Sequence, residues 1–230
     1  PFTSSFLLPN AAIIVPRMTL TLPPHITAAT AMDAMTHATE AFTCMAKNPL
    51  SDAYATAAIK KISQSLLQVM DNPKDSDGRL ELAQASTMAG IAFSNSMVGL
   101  VHALGHATGA VCHLPHGLCM SLYLPYALEY NLETIREPLG ELLLYLEGPE
   151  VFAATPASRR AEASISAIRK LRDALYKRCQ LPRTLKETGK VTEAQLDHIA
   201  EMALDDGSIM FNPKEVTLED ARSVLRRAWA

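Results

Sequence analysis

The sequence predicts an all-α protein, a multi-helix bundle preceded by one short strand. Three observations predict it. From Pro23-Pro24 onward the apolar residues recur at helical spacing, and capping residues stand at several starts. Only one run, Ala11-Ala-Ile-Ile-Val15, is short, apolar and partly β-branched, and no second convincing strand follows it. No glycine-rich cluster follows a strand, so the 230 residues lack the phosphate-binding turn of a dinucleotide fold.

The strand at 11–15 lies between Pro9-Asn10 and Pro16. A lone strand leaves its backbone groups unpaired. It is therefore expected to pair between chains or with a sheet in a missing N-terminal part. Helices are expected at about 25–46, 51–71, 78–96, 100–112, 118–130, 133–146, 158–179, 193–204 and 217–228. Ser51-Asp52 precedes the second helix, Thr192-Glu193 opens the eighth, and Thr217-Leu-Glu-Asp220 opens the last. In the second, Ala55, Ala58, Ile59, Ile62, Leu66 and Val69 share a face. Asn72-Pro-Lys-Asp-Ser-Asp-Gly78 reads as a surface loop, and 147–156 as a loop within one bundle rather than a joint between subdomains.

Hydrophobic residues make up 48% of the chain, enough for a real core, and a net charge of −3 gives no reason to expect nucleic acid or a membrane surface as partner. No segment is apolar for the length a bilayer requires. Pro1-Phe-Thr-Ser-Ser-Phe6 lacks the basic and apolar regions of a signal peptide, and the missing initiator Met points to a fragment or a processed chain. Cys44, Cys112, Cys119 and Cys179 are scattered without a CxxC pair, as expected of reduced thiols in a cytoplasmic protein.

The chemistry concentrates in two clusters. The first is Ala31-Met-Asp-Ala-Met-Thr-His-Ala-Thr-Glu40, where Asp33 and His37 stand four apart and project from one helix face. Their neighbours Met32, Ala34, Met35 and Ala38 predict burial, and a buried carboxylate needs a compensating partner. The second cluster is Gly99-Leu-Val-His-Ala-Leu-Gly-His-Ala-Thr-Gly109 with Leu114-Pro-His-Gly117. Five of the seven histidines (His37, His102, His106, His113, His116) fall in these two segments. A satisfied core histidine is the commoner fate of any one of them, but chance convergence of three or more is much rarer. Two imidazoles of the second cluster, His102 and His116, would complete a set of one carboxylate and three nitrogens, which suits a divalent first-row metal, iron or zinc above all. Glu40 shares the Asp33 face and is expected to support the site or face solvent rather than act as a base. His25, His113 and His198 receive no role.

Together with Phe93-Ser-Asn95 and Phe211-Asn-Pro-Lys214, these motifs resemble the iron-containing (group III) alcohol dehydrogenase family. The resemblance runs in order along essentially the whole chain, through Thr217-Leu-Glu-Asp220. It implies a dehydroquinate synthase-like helical domain at residues 25–230, with 1–24 as the residual strand and linker of a missing α/β dinucleotide-binding domain. It implies Asp33, His37, His102 and His116 as ligands of Fe2+, with Zn2+ as the other ion such a set takes. His106 matches a non-ligating histidine that faces nicotinamide and substrate, which makes it both the catalytic and the cofactor-contacting candidate. Ala31 replaces the family's usual Gly and Val15 an often-present Asp, neither at a ligand position.

The activity so implied is interconversion of a small alcohol and its aldehyde or ketone by hydride transfer to or from NAD or NADP, the metal acting as Lewis acid. The expected partners are that substrate, the protein's own N-terminal dinucleotide-binding domain, and further copies in a homo-oligomer. The isolated chain is expected to be inactive. Three other readings compete. A helical metal phosphohydrolase needs an adjacent His-Asp pair, and the chain has only the reverse, Asp197-His198. A glycerol dehydrogenase-like zinc enzyme domain is closer, but Val101-His-Ala-Leu-Gly-His106 with Pro115-His-Gly117 favours the iron-type branch. A non-catalytic metal-binding or oligomerisation module is the third, and four intact ligand positions argue against it.

Overall fold

A computed structural model describes residues 9–230, and every regular element among them is helical. In chain order these are α1 (Pro24–Thr43), α2 (Pro49–Asp71), α3 (Ser76–Ser94), α4 (Leu100–Cys112), α5 (His116–Glu141), α6 (Leu143–Glu147), α7 (Pro149–Ala154), α8 (Arg160–Cys179), α9 (Leu196–Leu204) and α10 (Leu218–Trp229). Short 3₁₀ turns lie between several of them, including Glu193–Gln195 ahead of α9 and Gly207–Phe211 ahead of α10. No helix of the described residues is long and apolar enough to cross a membrane.

Helix α1 is the axis of the bundle. It packs against α2, α3 and α5, and is buried along most of its length. Its sequence permits this. Ala28, Ala34, Ala38 and Ala41 let neighbouring helices approach closely. The buried hydroxyls of Thr36, Thr39 and Thr43 donate back to the carbonyls of Met32, Met35 and Thr39 at 2.8, 2.8 and 2.9 Å, so the helix satisfies its own polar side chains. Helix α4 packs on α5 and α9, and α10 closes over α9 and α5. The starts of α2 and α10 carry capping boxes, Asn48 with Ser51 and Thr217 with Asp220.

Three expectations need correction. Residues 11–15 form no strand; Val15 is extended, and the chain turns through the 3₁₀ segment Pro16–Met18 into α1. Apolar, β-branched composition favours extension, but a strand exists only with a partner, and none is present among the described residues. Second, the helices expected at 118–130 and 133–146 are largely one. Helix α5 runs through Pro125 and leaves helical geometry only at Ile135 (φ −109°, ψ 16°), one turn before Pro138, whose ring excludes a regular turn there. Asn131, in the gap expected between the two, is buried and exchanges amide hydrogen bonds of 2.8 Å with Asn212. Third, the stretch 147–156, expected as a loop, carries the short helix α7, opened by Pro149 at its first position.

Candidate metal centre

Three helices build the site. On α1, Asp33 and His37 lie one turn apart on the face turned to α4 and α5. Nδ1 of His37 lies 3.0 Å from the Asp33 carbonyl oxygen, so it carries the proton and donates, leaving Nε2 as an electron-pair donor. Phe93, at the end of α3, lies against the ring with centroids 4.4 Å apart.

The start of α4 brings in His102. Its N-cap, Gly99, has no side chain to cap the first turn, and two residues distant in sequence do so instead. Leu100 N–H donates to Asn212 Oδ1 at 3.2 Å, and Val101 N–H donates to Glu40 Oε1 at 2.8 Å. A Cβ at Gly99 would stand 3.1 Å from that Asn212 oxygen and 3.3 Å from the Glu40 oxygen, so the absence of a side chain gives the two caps their space. The second oxygen of Glu40, Oε2, lies 2.5 Å from Nδ1 of His102. A negative group at a helix N-terminus is favoured by the helix dipole as well.

The start of α5 supplies His116. A Cβ on Gly117 would meet the backbone oxygen of Ala29 at 2.5 Å, so a bare glycine lets this helix start touch α1. His116 Nε2 then stands 3.2 Å from Asp33 Oδ1.

One atom from each of Asp33, His37, His102 and His116 lies within 4.8 Å of the corresponding atoms of the others. The structure thus brings together the four residues singled out in the sequence. His106 stands beside them. Its ring stacks on His116 at 5.2 Å and 21°, and its Nδ1 lies 2.8 Å from Asp206 Oδ2. The floor of the site is closed, with His102 2% exposed, while the side chains of His116 and His106 are 41% and 43% exposed and line its open side. His113 ends α4 in a left-handed conformation (φ 53°) and takes no part.

The donor set fits a divalent cation. Asp33 Oδ1 is buried without a hydrogen bond of acceptable geometry. Burial weighs most on this carboxyl and would raise its pKa, but His116 and the fields of the three rings hold it below the ordinary value, so it is ionised. His37 is pushed down to about 4, first by burial and then by His102, so its ring is neutral near pH 7. With both Nδ1 atoms engaged by oxygens, Nε2 of His37 and Nε2 of His102 face each other at 3.0 Å. In these tautomers two lone pairs face each other, an arrangement a shared cation would relieve, and two nitrogens sharing a metal at about 2.1 Å each lie roughly 3.0–3.4 Å apart.

Sequence reasoning did not find Asp206, Asn131 or the capping role of Asn212. Asp206 meets His106 across 100 residues and Asn212 meets Leu100 across 112, and no local pattern encodes contacts at that range.

A helical bundle with one carboxylate and three imidazoles converging at the starts of two helices defines a class, the helical domains with a candidate divalent-metal centre. The chain matches the Fe-containing alcohol dehydrogenase family, C-terminal, over residues 27–229, and it belongs to that family. It is 35% identical over 223 residues to alcohol dehydrogenase 4 of Saccharomyces cerevisiae, an alignment covering 96% of this chain and 55% of that protein. It is 34% identical over 223 residues to the 1,3-propanediol dehydrogenase of Citrobacter freundii, covering 96% and 56%. The solved alcohol dehydrogenase from Oenococcus oeni aligns with a TM-score of 0.86 at 34% identity, covering 93% of this chain and 54% of that one. The chain spans about half the length of the curated relatives it matches.

Proposed function

We propose that this chain is the metal-binding half of an iron-type NAD(P)-dependent alcohol dehydrogenase, which interconverts a small alcohol and its aldehyde or ketone. The observation that carries this reading is the convergence of Asp33, His37, His102 and His116 within 4.8 Å in a chain of this family. One carboxylate with three imidazoles suits Fe2+ and also Zn2+. When bound, the ion supplies Lewis acidity to the alcohol or carbonyl oxygen. Two relatives, a 1,3-propanediol dehydrogenase and an NADPH-dependent butanol dehydrogenase of Clostridium saccharobutylicum, support a small primary alcohol or diol as the substrate class.

The residues of this chain divide the work. Of the four residues that would hold the ion only Asp33 carries a negative charge, so a divalent ion would keep positive charge toward the substrate oxygen, partly offset by the Glu40 carboxylate behind His102. The closed floor around His102 and Glu40 excludes water, and the open side between His106 and His116 admits substrate and nicotinamide. In oxidation the carbinol carbon gives a hydride to the nicotinamide and the hydroxyl gives up a proton. His106 is placed to take that proton. Asp206 engages its Nδ1, so Nε2 is the atom that accepts the proton and passes it to solvent. The dinucleotide is held by a domain upstream of residues 1–24, and residues 25–230 form the helical half.

Metal loading followed by elemental analysis tests the assignment. One ion per chain is expected, and His102→Ala is expected to abolish it; a stoichiometry near zero, or binding unchanged in the variant, sinks it. The 230 residues alone are expected to give no nicotinamide turnover, and joining them to a dinucleotide-binding domain is expected to restore it. A metal-loaded, two-domain protein inactive across a panel of alcohols would instead favour a non-catalytic module.

A further inference from the structure

Glu40 is 5% exposed, yet its oxygens are not among the atoms that converge at the centre. A carboxylate removed from water needs compensation. No lysine or arginine among the described residues lies within ion-pair distance; its only ion-pair partner is the ring of His102. Both oxygens are nonetheless engaged, Oε1 by Val101 N–H at 2.8 Å and Oε2 by Nδ1 of His102 at 2.5 Å.

We propose that Glu40 is a positioning residue for the metal centre: its carboxylate selects the Nδ1–H tautomer of His102 and so keeps Nε2 as the donor, while the same group anchors the helix start that carries the ring. This rests on the metal reading above. A neutral imidazole has one ring proton, and an ionised carboxylate can only accept one, so the proton sits on Nδ1. The alternative tautomer is a real competitor here. With its proton on Nε2, His102 would donate to Nε2 of His37, 3.0 Å away, and that one hydrogen bond would occupy two of the three ligand nitrogens. Glu40 disfavours this state by setting a negative charge against the Nδ1 lone pair that it would expose.

Glutamine at this position separates tautomer selection from space filling. If its amide oxygen accepts from Val101 N–H, its NH2 group faces Nδ1 and drives the ring proton to Nε2. If it turns over, NH2 opposes the Val101 N–H and the α4 start loses its cap. Alanine merely leaves the ring free to choose. The expected result for the full chain is that Glu40→Gln weakens Zn2+ binding by about 10–100-fold, at least as much as Glu40→Ala. A side chain that only fills space would give the opposite order. Chelator competition measures the affinities, and unfolding of each metal-free variant reports whether it folds.

The Zn2+-loaded wild type supplies a test without any variant. Its histidine ring nitrogens, followed by NMR, are expected to show a hydrogen-bonded Nδ1–H on His102 that exchanges slowly with water. Glu40→Gln binding as tightly as wild type, a smaller loss in Glu40→Gln than in Glu40→Ala, or a His102 without a proton on Nδ1 would each overturn the proposal. Wild-type chain that takes up no Zn2+ overturns the metal reading itself, and this inference with it.

Discussion

His106 is one turn past His102 on α4 and shares its side of the helix, yet the two rings end in different surroundings. His102 is locked between Glu40 and His37, whereas His106 turns to Asp206 at the rim and stacks on His116. His106 is absent from the converging set. In the proposed two-domain enzyme His106→Ala is therefore expected to lower turnover by about 10²–10⁴-fold with metal content near normal. Steady-state rates and elemental analysis of the same sample check this. A metal-free variant would make His106 a ligand, and an unchanged rate would make it a packing residue.

Helix starts, more than helix bodies, make the site. His102, the proposed ligand on α4, sits in its first turn, where Glu40 and Asn212 supply the caps that Gly99 cannot. His116, the proposed ligand on α5, is its first residue, seated on α1 because Gly117 has no Cβ to strike the Ala29 carbonyl. A backbone atom 2.5 Å away cannot swing aside as a flexible side chain can. Gly117→Ala is thus expected to lift the α5 start from α1, destabilise the fold by about 1–3 kcal/mol and weaken metal binding. Thermal unfolding and chelator competition report the two effects, and a variant indistinguishable from wild type in both would show that α5 can shift without moving His116. At this scale the sequence was readable where a start is marked locally, as at Thr217, less so at α2, where the cap is Asn48 rather than the expected Ser51, and unreadable where the cap comes from elsewhere. It also failed at α5, where burial of Asn131 against Asn212 carries one helix through an apparent break.

Across the whole molecule, the metal-free centre makes stability depend on pH. His37 titrates near 4 in the folded chain against 6.5 when unfolded, so between those values the unfolded chain binds more protons. Stability is then highest above pH 6.5 and declines as pH falls toward 4, with a slope of up to about 1.4 kcal/mol per pH unit for one proton. Asp33, held below its ordinary value of 3.8, acts in the same direction at still lower pH, losing its contribution as it is protonated. Denaturant unfolding of chelator-treated protein from pH 8 to pH 4 measures the trend, and a flat profile would refute it. Metal at about 100 times its dissociation constant is expected to add roughly 2.7 kcal/mol, which chelation removes.

The amino-acid sequence by itself determined the helical class and the positions of most helices, because periodicity and capping are local properties. It also determined the Asp33–His37 pair, since four residues on a helix make one turn, and its motifs pointed to His102 and His116. Only the tertiary structure decided that residues 11–15 form no strand, that Glu40 links the α4 start to the His102 ring, and that Asp206 faces His106. The first turns on the absence of a partner strand among the described residues, and the other two on partners supplied by packing, 61 residues away for Glu40 and Val101 and 100 for His106 and Asp206. No preference of a residue for its own backbone conformation carries information over that distance.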